Sequence, residues 1–540
     1  MTDVTRRSLM RAALWAAGLS PLGAGGRLWA AGEGADGPDA AFGPARPFGF
    51  DALTDRARRL AAAPYRPPVA RAADTLARID YDAHWRIRFR DDVSLTPAGP
   101  DAPVQMFHPG RYFQQPVGIH LVENGRSREV LFDRDYFTMP ADSPARKLPD
   151  DIGFAGFRVM RPGMQADWIS FLGASYFRTD GPQAQYGLSA RGIAIDTGLA
   201  RPEEFPRFTD FWLGAPEDLA ENPAENPAED LTVWALLDGP SIAGAYRFGL
   251  RRGKSGGDHK LTVATRLFMR NRVERLGIAP LTSMYWYSER DRPEGQDWRP
   301  EIHDSDGLAL ATGAGERIWR PLTNPARLTT TRYLDQNPRG FGLSQRDRDF
   351  DHYQDDGVFY DKRPSAWIEP LGDWGRGAVE LVEIPTADET FDNIVAYWVA
   401  EAPALAGAAL SYDYAITWTG RDPIPETVAS VVALRRGRGG HPGQTPRPKS
   451  TKMVIDFEGP ALAGLDVDSG IEPVIDAPDA RILDPVAVRP VVGTDRWRLS
   501  FDVETTGQDM VELRAYLRLG DRALTETLLL RSPVTAPVPN

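Results

Sequence analysis

Hydrophobic residues in this chain recur at every second position over most of its length. Trp85, Ile87 and Phe89 alternate with charged residues. Val117, Ile119 and Leu121 do the same and lead into Asn124-Gly125, with Val130 and Phe132 beyond. A period of two puts one face of an extended strand inward, and Asn-Gly supplies the positive φ that a tight hairpin needs. Short runs of this kind, separated by Gly/Pro turns, continue past residue 400 through Tyr412, Tyr414, Ile416 and Trp418. One segment near the start, Phe50 to Ala62, has helical spacing, with Leu53, Ala57 and Leu60 on one face and Pro64 ending it. The chain is therefore expected to be mainly β.

With 540 residues the chain is too long for one ordinary core. Arg421 to Thr427 reads as a linker, with Pro423 and Pro425. Arg435 to Lys452 is basic, rich in Gly and Pro, and reads as a second linker or a long loop inside the last domain. Alternation in Met453–Phe457, Trp497–Val503, Met510–Arg518 and Thr525–Leu530 suits a small all-β sandwich. The expected division is a large β domain over 48–420 and a small one over 430–535. A doubled Ala-Glu-Asn-Pro within 216–231 reads as a solvated acidic surface loop.

The N-terminus carries Arg6-Arg7, an apolar run from Ala12 to Leu22, and small residues around Ala30 and Ala31. That layout is an export signal over residues 1–31, and the paired arginines match the twin-arginine type, which implies the periplasm. The apolar run is too short to span a bilayer, and no later stretch has the roughly 18 uninterrupted apolar residues of a span.

A formal net charge of −12 argues against nucleic acid as a partner. The absence of cysteine removes disulfides, thiolate metal sites and thiol nucleophiles. Gly187-Leu188-Ser189-Ala190-Arg191 lacks the second Gly of a hydrolase elbow. No phosphate-binding Gly motif occurs, and no histidines pair at a metal spacing. His303-Asp304-Ser305-Asp306 begins like a hard-metal loop, but Gly307-Leu308-Ala309-Leu310 follows instead of further oxygen ligands. Neither a metal nor a cofactor is expected.

What remains is carboxylates set among aromatics and arginines, the combination that grips sugars and cleaves glycosidic bonds. Asp297 to Asp306 and Glu383 to Asn393 are dense in them, with Gln345–Phe350 and Arg363–Pro370 between. Such clusters are more often solvated faces and turn caps. Spacing does not choose which carboxylates do chemistry.

Several long blocks resemble a known family. Phe107-His108-Pro109-Gly110, Gly153 to Arg158, Phe171 to Phe177, Tyr186 to Gly192, Leu276 to Met284, Arg299 to Gly307 and Asn337 to Gly342 look like the periplasmic glucan biosynthesis family OpgG/OpgD, also called MdoG/MdoD. The likeness runs from about Phe48 to the C-terminus, and the twin-arginine signal is more similar to the OpgD branch. The resemblance implies a large galactose-mutarotase-like β-sandwich followed by an immunoglobulin-like one. It implies a role in making osmoregulated periplasmic glucans with a β-1,2-linked backbone. It also implies the anomer-inverting chemistry of glycoside hydrolase family 186, as an endo-β-1,2-glucanase or as a transglycosylase closing the glucan through an α-1,6 bond. Carried over by position, the general acid falls on Asp392 and the general base on Asp304, with Tyr360 and Glu389 near the proton path. Phe391 stands where family members often carry Leu, a conservative departure.

The partners this implies are a β-1,2-linked glucan as substrate, with the membrane glucan synthase and a second copy in a homodimer as further candidates. A non-catalytic glucan-binding protein that assists backbone synthesis or export is the competing expectation, since it needs the same aromatic cleft. A sugar epimerase rests on fold analogy alone and ranks below both.

Overall fold

The computed structural model describes residues 40–533, apart from residues 70, 217–228, 293–296, 423–427, 441–442, 444–449 and 506–509. The export signal, the doubled acidic motif and most of the first linker lie outside the described residues. Strands hold 48% of the described residues and helices 9%, the mainly β build that the two-residue period predicts.

The local signals act as expected. Phe50–Ala61 is a helix that buries Leu53 and Ala57 against Trp212, Trp234 and Phe268. Gly118–Glu123 and Arg126–Glu129 form a hairpin closed by Asn124 at φ 51° and Gly125 at φ 69°. Both angles lie in the left-handed region where Asn and Gly cost least.

A sixteen-stranded sheet and a ten-stranded sheet form the body. Their facing sides share one core. Phe157, Phe171 and Phe177 of the smaller sheet meet Phe211 and Phe248 of the larger, with ring centroids 5.1 to 5.7 Å apart. Burying each ring stabilises by roughly 2 kcal/mol.

The C-terminal part adds a four-stranded sheet, in the order Ser430–Arg438, Ser450–Glu458, Arg496–Thr505 and Ala480–Pro490. Arg435 to Lys452 therefore lies inside the last unit, the second of its two readings, and is not a linker. Its ends belong to a hairpin registered from Ser430↔Glu458 to Arg438↔Thr451. The glycines, prolines and arginines between Arg435 and Lys452 mask the alternation that the flanking strands carry. Ile455, Phe457, Leu499 and Phe501 of this sheet pack with Leu513, Leu517, Leu528 and Leu530. The last four lie on strands that extend the sixteen-stranded sheet, through parallel pairs Ile318↔Thr527 and Trp319↔Leu528. Ala309, Ala311, Trp319 and Trp367 of the large unit belong to the same apolar cluster. The two units thus share a sheet and a core.

One crossover positions the site. Strand Leu276–Ser283 of the smaller sheet runs straight on into Tyr285–Tyr287, which pairs with Ile302–His303. Asp304 follows, and the chain then enters Gly307–Ala311 of the larger sheet. Asp304 sits where the chain passes from one sheet to the other.

Candidate active site

Most carboxylates in the two dense segments have structural partners. Glu383 is buried on Arg320 at 2.9 Å and on the Thr323 amide at 2.7 Å. Asp388 accepts from the Thr390 amide in a turn. Asp297 is forked onto Arg299, and Glu301 lies 2.9 Å from His303 Nε2. Asp306 accepts from the amides of Arg346 and Asp347, both at 2.9 Å.

Asp304 differs. Its carboxyl is buried, and neither oxygen has a hydrogen-bond partner. Arg363 Nη1 lies 3.1 Å from Oδ1, an ion pair out of hydrogen-bond alignment. Burial pushes the Asp304 carboxyl up, while Arg363 and His303 pull it back.

Asp392 lies between strands Arg376–Glu383 and Ile394–Ala400, at one end of the smaller sheet, and is also buried. Its carboxyl is pushed up to about 7, first by burial and then by the charge of Asp304. Arg191, Arg178 and Arg363 oppose the rise. Two carboxyls that repel each other in a dry site are driven towards holding one proton between them.

These cations come from separate parts of the chain. Arg178 and Arg191 end short apolar runs on the paired strands Tyr176–Thr179 and Ser189–Arg191. Arg178 stacks over Tyr186 at 4.9 Å. Arg191 donates to Thr282 Oγ1 at 2.8 Å and to Glu203 at 2.7 Å. Arg363 stacks over Tyr360 at 4.9 Å, and Gly187 makes room for its stem. A Cβ at Gly187 would stand 3.1 Å from Arg363 Cβ.

Tyr360 and Glu389 meet directly. The Tyr360 hydroxyl donates to Glu389 Oε2 at 2.5 Å. Arg299 donates to the same carboxylate from Nη1 and Nη2, at 2.9 and 3.1 Å, and to Asp355 at 2.7 Å. Burial holds the Tyr360 hydroxyl well above the usual phenol range, despite Arg363. The preceding residue, Phe359, has φ 51°. That conformation costs a bulky residue about 1–2 kcal/mol, the kind of strain kept where a side chain must be aimed.

The structure therefore brings Asp304, Asp392, Tyr360 and Glu389 into one electrostatically connected group. Reasoning from sequence did not single out Arg178, Arg191 and Arg363 as its charges. The available signal was an arginine at an inward position of an apolar strand, as in Tyr176-Phe177-Arg178.

His303 beneath Asp304 is an imidazolium by hydrogen-bond accounting. Gln345 Nε2 faces three acceptors: His303 O, Tyr360 O and Tyr353 Oη. Its Oε1 must then accept from His303 Nδ1, at 2.9 Å, while Nε2 faces the Glu301 carboxylate. Burial disfavours this charge, but Glu301 prevails and raises the ring to about 9.

Glu301, Asp347 and His352 bring ligand-type atoms within 4.8 Å of one another. His352 is already paired with Asp347 at 2.6 Å and Glu301 with His303, so each has a protein partner.

A cavity of about 810 Å³ is walled by residues between Ile79 and Leu172, and Asp304, Asp392, Tyr360 and Glu389 are not among its walls. Tyr81, Trp85, Tyr112, Arg158 and Asp167 are among its walls. Tyr81 and Trp85 stack at 6.3 Å. Asp167 accepts from Tyr186 Oη at 2.6 Å, and Arg178 lies over that same ring. The wall is thus joined to the cation that faces Asp392.

The family model for the periplasmic glucan biosynthesis protein, MdoG, matches residues 48–532. The chain belongs to this family. "Glucans biosynthesis protein D 2" of Ralstonia nicotianae (strain ATCC BAA-1114 / GMI1000) is 47% identical over 99% of both chains. "Glucans biosynthesis protein D" of Stenotrophomonas maltophilia (strain R551-3) is 44% identical over 92% of both. "Probable glucans biosynthesis protein D" of Shewanella oneidensis (strain ATCC 700550 / JCM 31522 / CIP 106686 / LMG 19005 / NCIMB 14063 / MR-1) is 45% identical over 89% of this chain and 88% of its own. The MdoG match takes in both units and the four candidate residues. Among the described residues no helix is long and apolar enough to cross a membrane.

Proposed function

We propose that this chain is a periplasmic enzyme of osmoregulated periplasmic glucan biosynthesis that acts on β-1,2-glucan with inversion at the anomeric carbon. The observation that carries the reading is the asymmetry of two buried carboxyls: Asp392 pushed up to about 7, and Asp304 set against Arg363 at 3.1 Å.

Asp392 is the general acid. It arrives protonated and passes its proton to the glycosidic oxygen as the C1–O bond breaks. An acceptor oxygen attacks C1 from the opposite face and releases its proton towards Asp304, the general base. Tyr360 and Glu389 line that path, and their 2.5 Å hydrogen bond is the segment of a relay the chain itself supplies. Water as acceptor gives hydrolysis. A sugar 6-hydroxyl as acceptor turns the β-linkage into an α-1,6 bond and closes the glucan. Both outcomes use the same two carboxyls.

The family, the N-terminal export pattern and the aromatic cavity wall support a neutral glucan in the periplasm. The cavity alone suits a non-catalytic glucan-binding protein equally well. Incubating the mature protein with linear β-1,2-glucan and following product mass separates the readings. New reducing ends mean hydrolysis, and a product one water lighter than the linear glucan of equal length means cyclisation. Retained binding without product sinks the enzyme reading.

A further inference from the structure

Arg346 lies outside the acid pair and joins the C-terminal unit to it. Its guanidinium forks onto Glu526, with Nη1–Oε1 at 2.6 Å and Nη2–Oε2 at 3.0 Å. It also pairs with Asp422 at 2.8 Å and stacks 3.6 Å from the centre of the Trp319 ring. Glu526 is fixed within its own unit: Oε1 accepts from the Val431 amide at 2.7 Å, and its amide donates to Ala429 O at 2.9 Å. The Glu526 side chain is 3% exposed, so the fork is shielded from water and salt.

The other end of the same segment reaches the Asp304 loop. The Arg346 and Asp347 amides hold Asp306 Oδ2. Gln345 holds the His303 ring and carbonyl, and donates to Tyr360 O. Residues 345–347 therefore grip the chain on both sides of Asp304. The Asp304 carboxyl has no hydrogen bond of its own, so its position depends on these neighbours. Gly307 continues the same contact. A Cβ there would fall 2.1 Å from the Trp319 ring, so the strand leaving the loop closes onto the indole that supports Arg346.

We infer that Arg346 is a positioning residue through which the C-terminal unit holds the Asp304 loop, so that this unit is a working part of the base site. The inference rests on the proposed role of Asp304, but the brace itself is tested without it.

The test uses the full mature chain, with hydrogen exchange read by mass spectrometry and turnover of linear β-1,2-glucan measured in parallel. Glu526→Gln keeps an acceptor for Val431 but turns an amide against Arg346. Arg346→Lys keeps the charge and loses the fork. Glu316→Gln is the control. It removes the charge that Arg514 pairs with and keeps an acceptor for Thr527 at the same junction, without touching residues 345–347. Glu526→Gln should speed exchange in residues 302–308 by about ten-fold, the worth of one charge-assisted hydrogen bond. It should lower kcat by about ten-fold at unchanged KM, because the base is misplaced while sugar binding stays. Arg346→Lys should fall between, and Glu316→Gln should change neither. Unchanged exchange in 302–308 in both Glu526→Gln and Arg346→Lys, or equal loosening in Glu316→Gln, overturns the inference. If Glu526→Gln does not fold, Arg346→Lys decides on the same readouts. Loosening confined to the two brace variants, in a protein whose wild type turns over no glucan, upholds the brace and removes the enzyme reading.

Discussion

Asn393 holds Tyr285 by both ends of its amide: Oδ1 accepts from the Tyr285 amide at 2.8 Å, and Nδ2 donates to Tyr285 O at 2.9 Å. The residue before Tyr285, Met284, accepts from the Asp304 amide at 2.9 Å. The acid's neighbour and the base are thus tied to consecutive residues, Tyr285 and Met284, where one strand ends and the next begins. Asn393→Ala should destabilise the protein by roughly 3 kcal/mol, from three lost buried hydrogen bonds. It should also lower turnover in the fraction that stays folded. A denaturant titration beside an activity assay reads both.

Asp392→Asn should reduce turnover by at least about 100-fold, the usual worth of a positioned acid. It should leave glucan binding intact. Its effect on stability has a definite sign. The folded pKa of about 7 lies above the ordinary 3.8, so the folded protein binds the proton more tightly. The stability this contributes is full below pH 3.8 and is lost as pH rises through 7. The variant should therefore melt above the wild type at pH 8, with the gap closing towards pH 5.

Turnover should follow a bell-shaped pH profile. Its upper limb lies near pH 7, where Asp392 loses its proton, and its lower limb reports Asp304. Arg178 lowers the pKa of both carboxyls. Arg178→Gln should move both limbs to higher pH, while Arg178→Lys should leave them in place. A bell that stays fixed in Arg178→Gln contradicts the electrostatic account.

Tyr360→Phe removes the donor to Glu389 without opening a cavity. We expect kcat to fall by roughly 10- to 100-fold, with KM within about two-fold. A matching rise in KM would move Tyr360 from the proton path to sugar binding.

Gly187→Ala sets a methyl against the Arg363 stem, with further contacts at 3.2 Å to its Cδ and 3.4 Å to Pro364 Cδ. Arg363 must shift, and Asp304 loses part of its ion pair. Activity should drop on the order of ten-fold, with the lower pH limb moved up. The melting temperature should change little, because the crowding is confined to one stem.

The strands were legible because alternation is local: Val117, Ile119 and Leu121, with Asn124-Gly125, announce their hairpin without help from the rest of the fold. The pairing of Ser430–Arg438 with Ser450–Glu458 was not, because the Gly-, Pro- and Arg-rich sequence from Arg435 to Lys452 reads equally as a linker or as a long loop. The site was half legible. The segments around Asp304 and Asp392 stood out as dense in carboxylates, but spacing did not separate them from Glu383, Asp388 or Asp306. What separates them is three-dimensional. Arg320 neutralises Glu383, backbone amides satisfy Asp388 and Asp306, and Asp304 is left without a hydrogen bond. Only the resemblance pointed to the pair from sequence. The shared core of the two units, and the Arg346–Glu526 fork across them, depend on pairings some 180 residues apart that no local pattern encodes.

The most direct test of the central claim is proton NMR of the first product formed from linear β-1,2-glucan, recorded before mutarotation. Inversion by Asp392 and Asp304 predicts an α-configured new centre, either a free α reducing end or an α-1,6 linkage. A β-configured first product would contradict it.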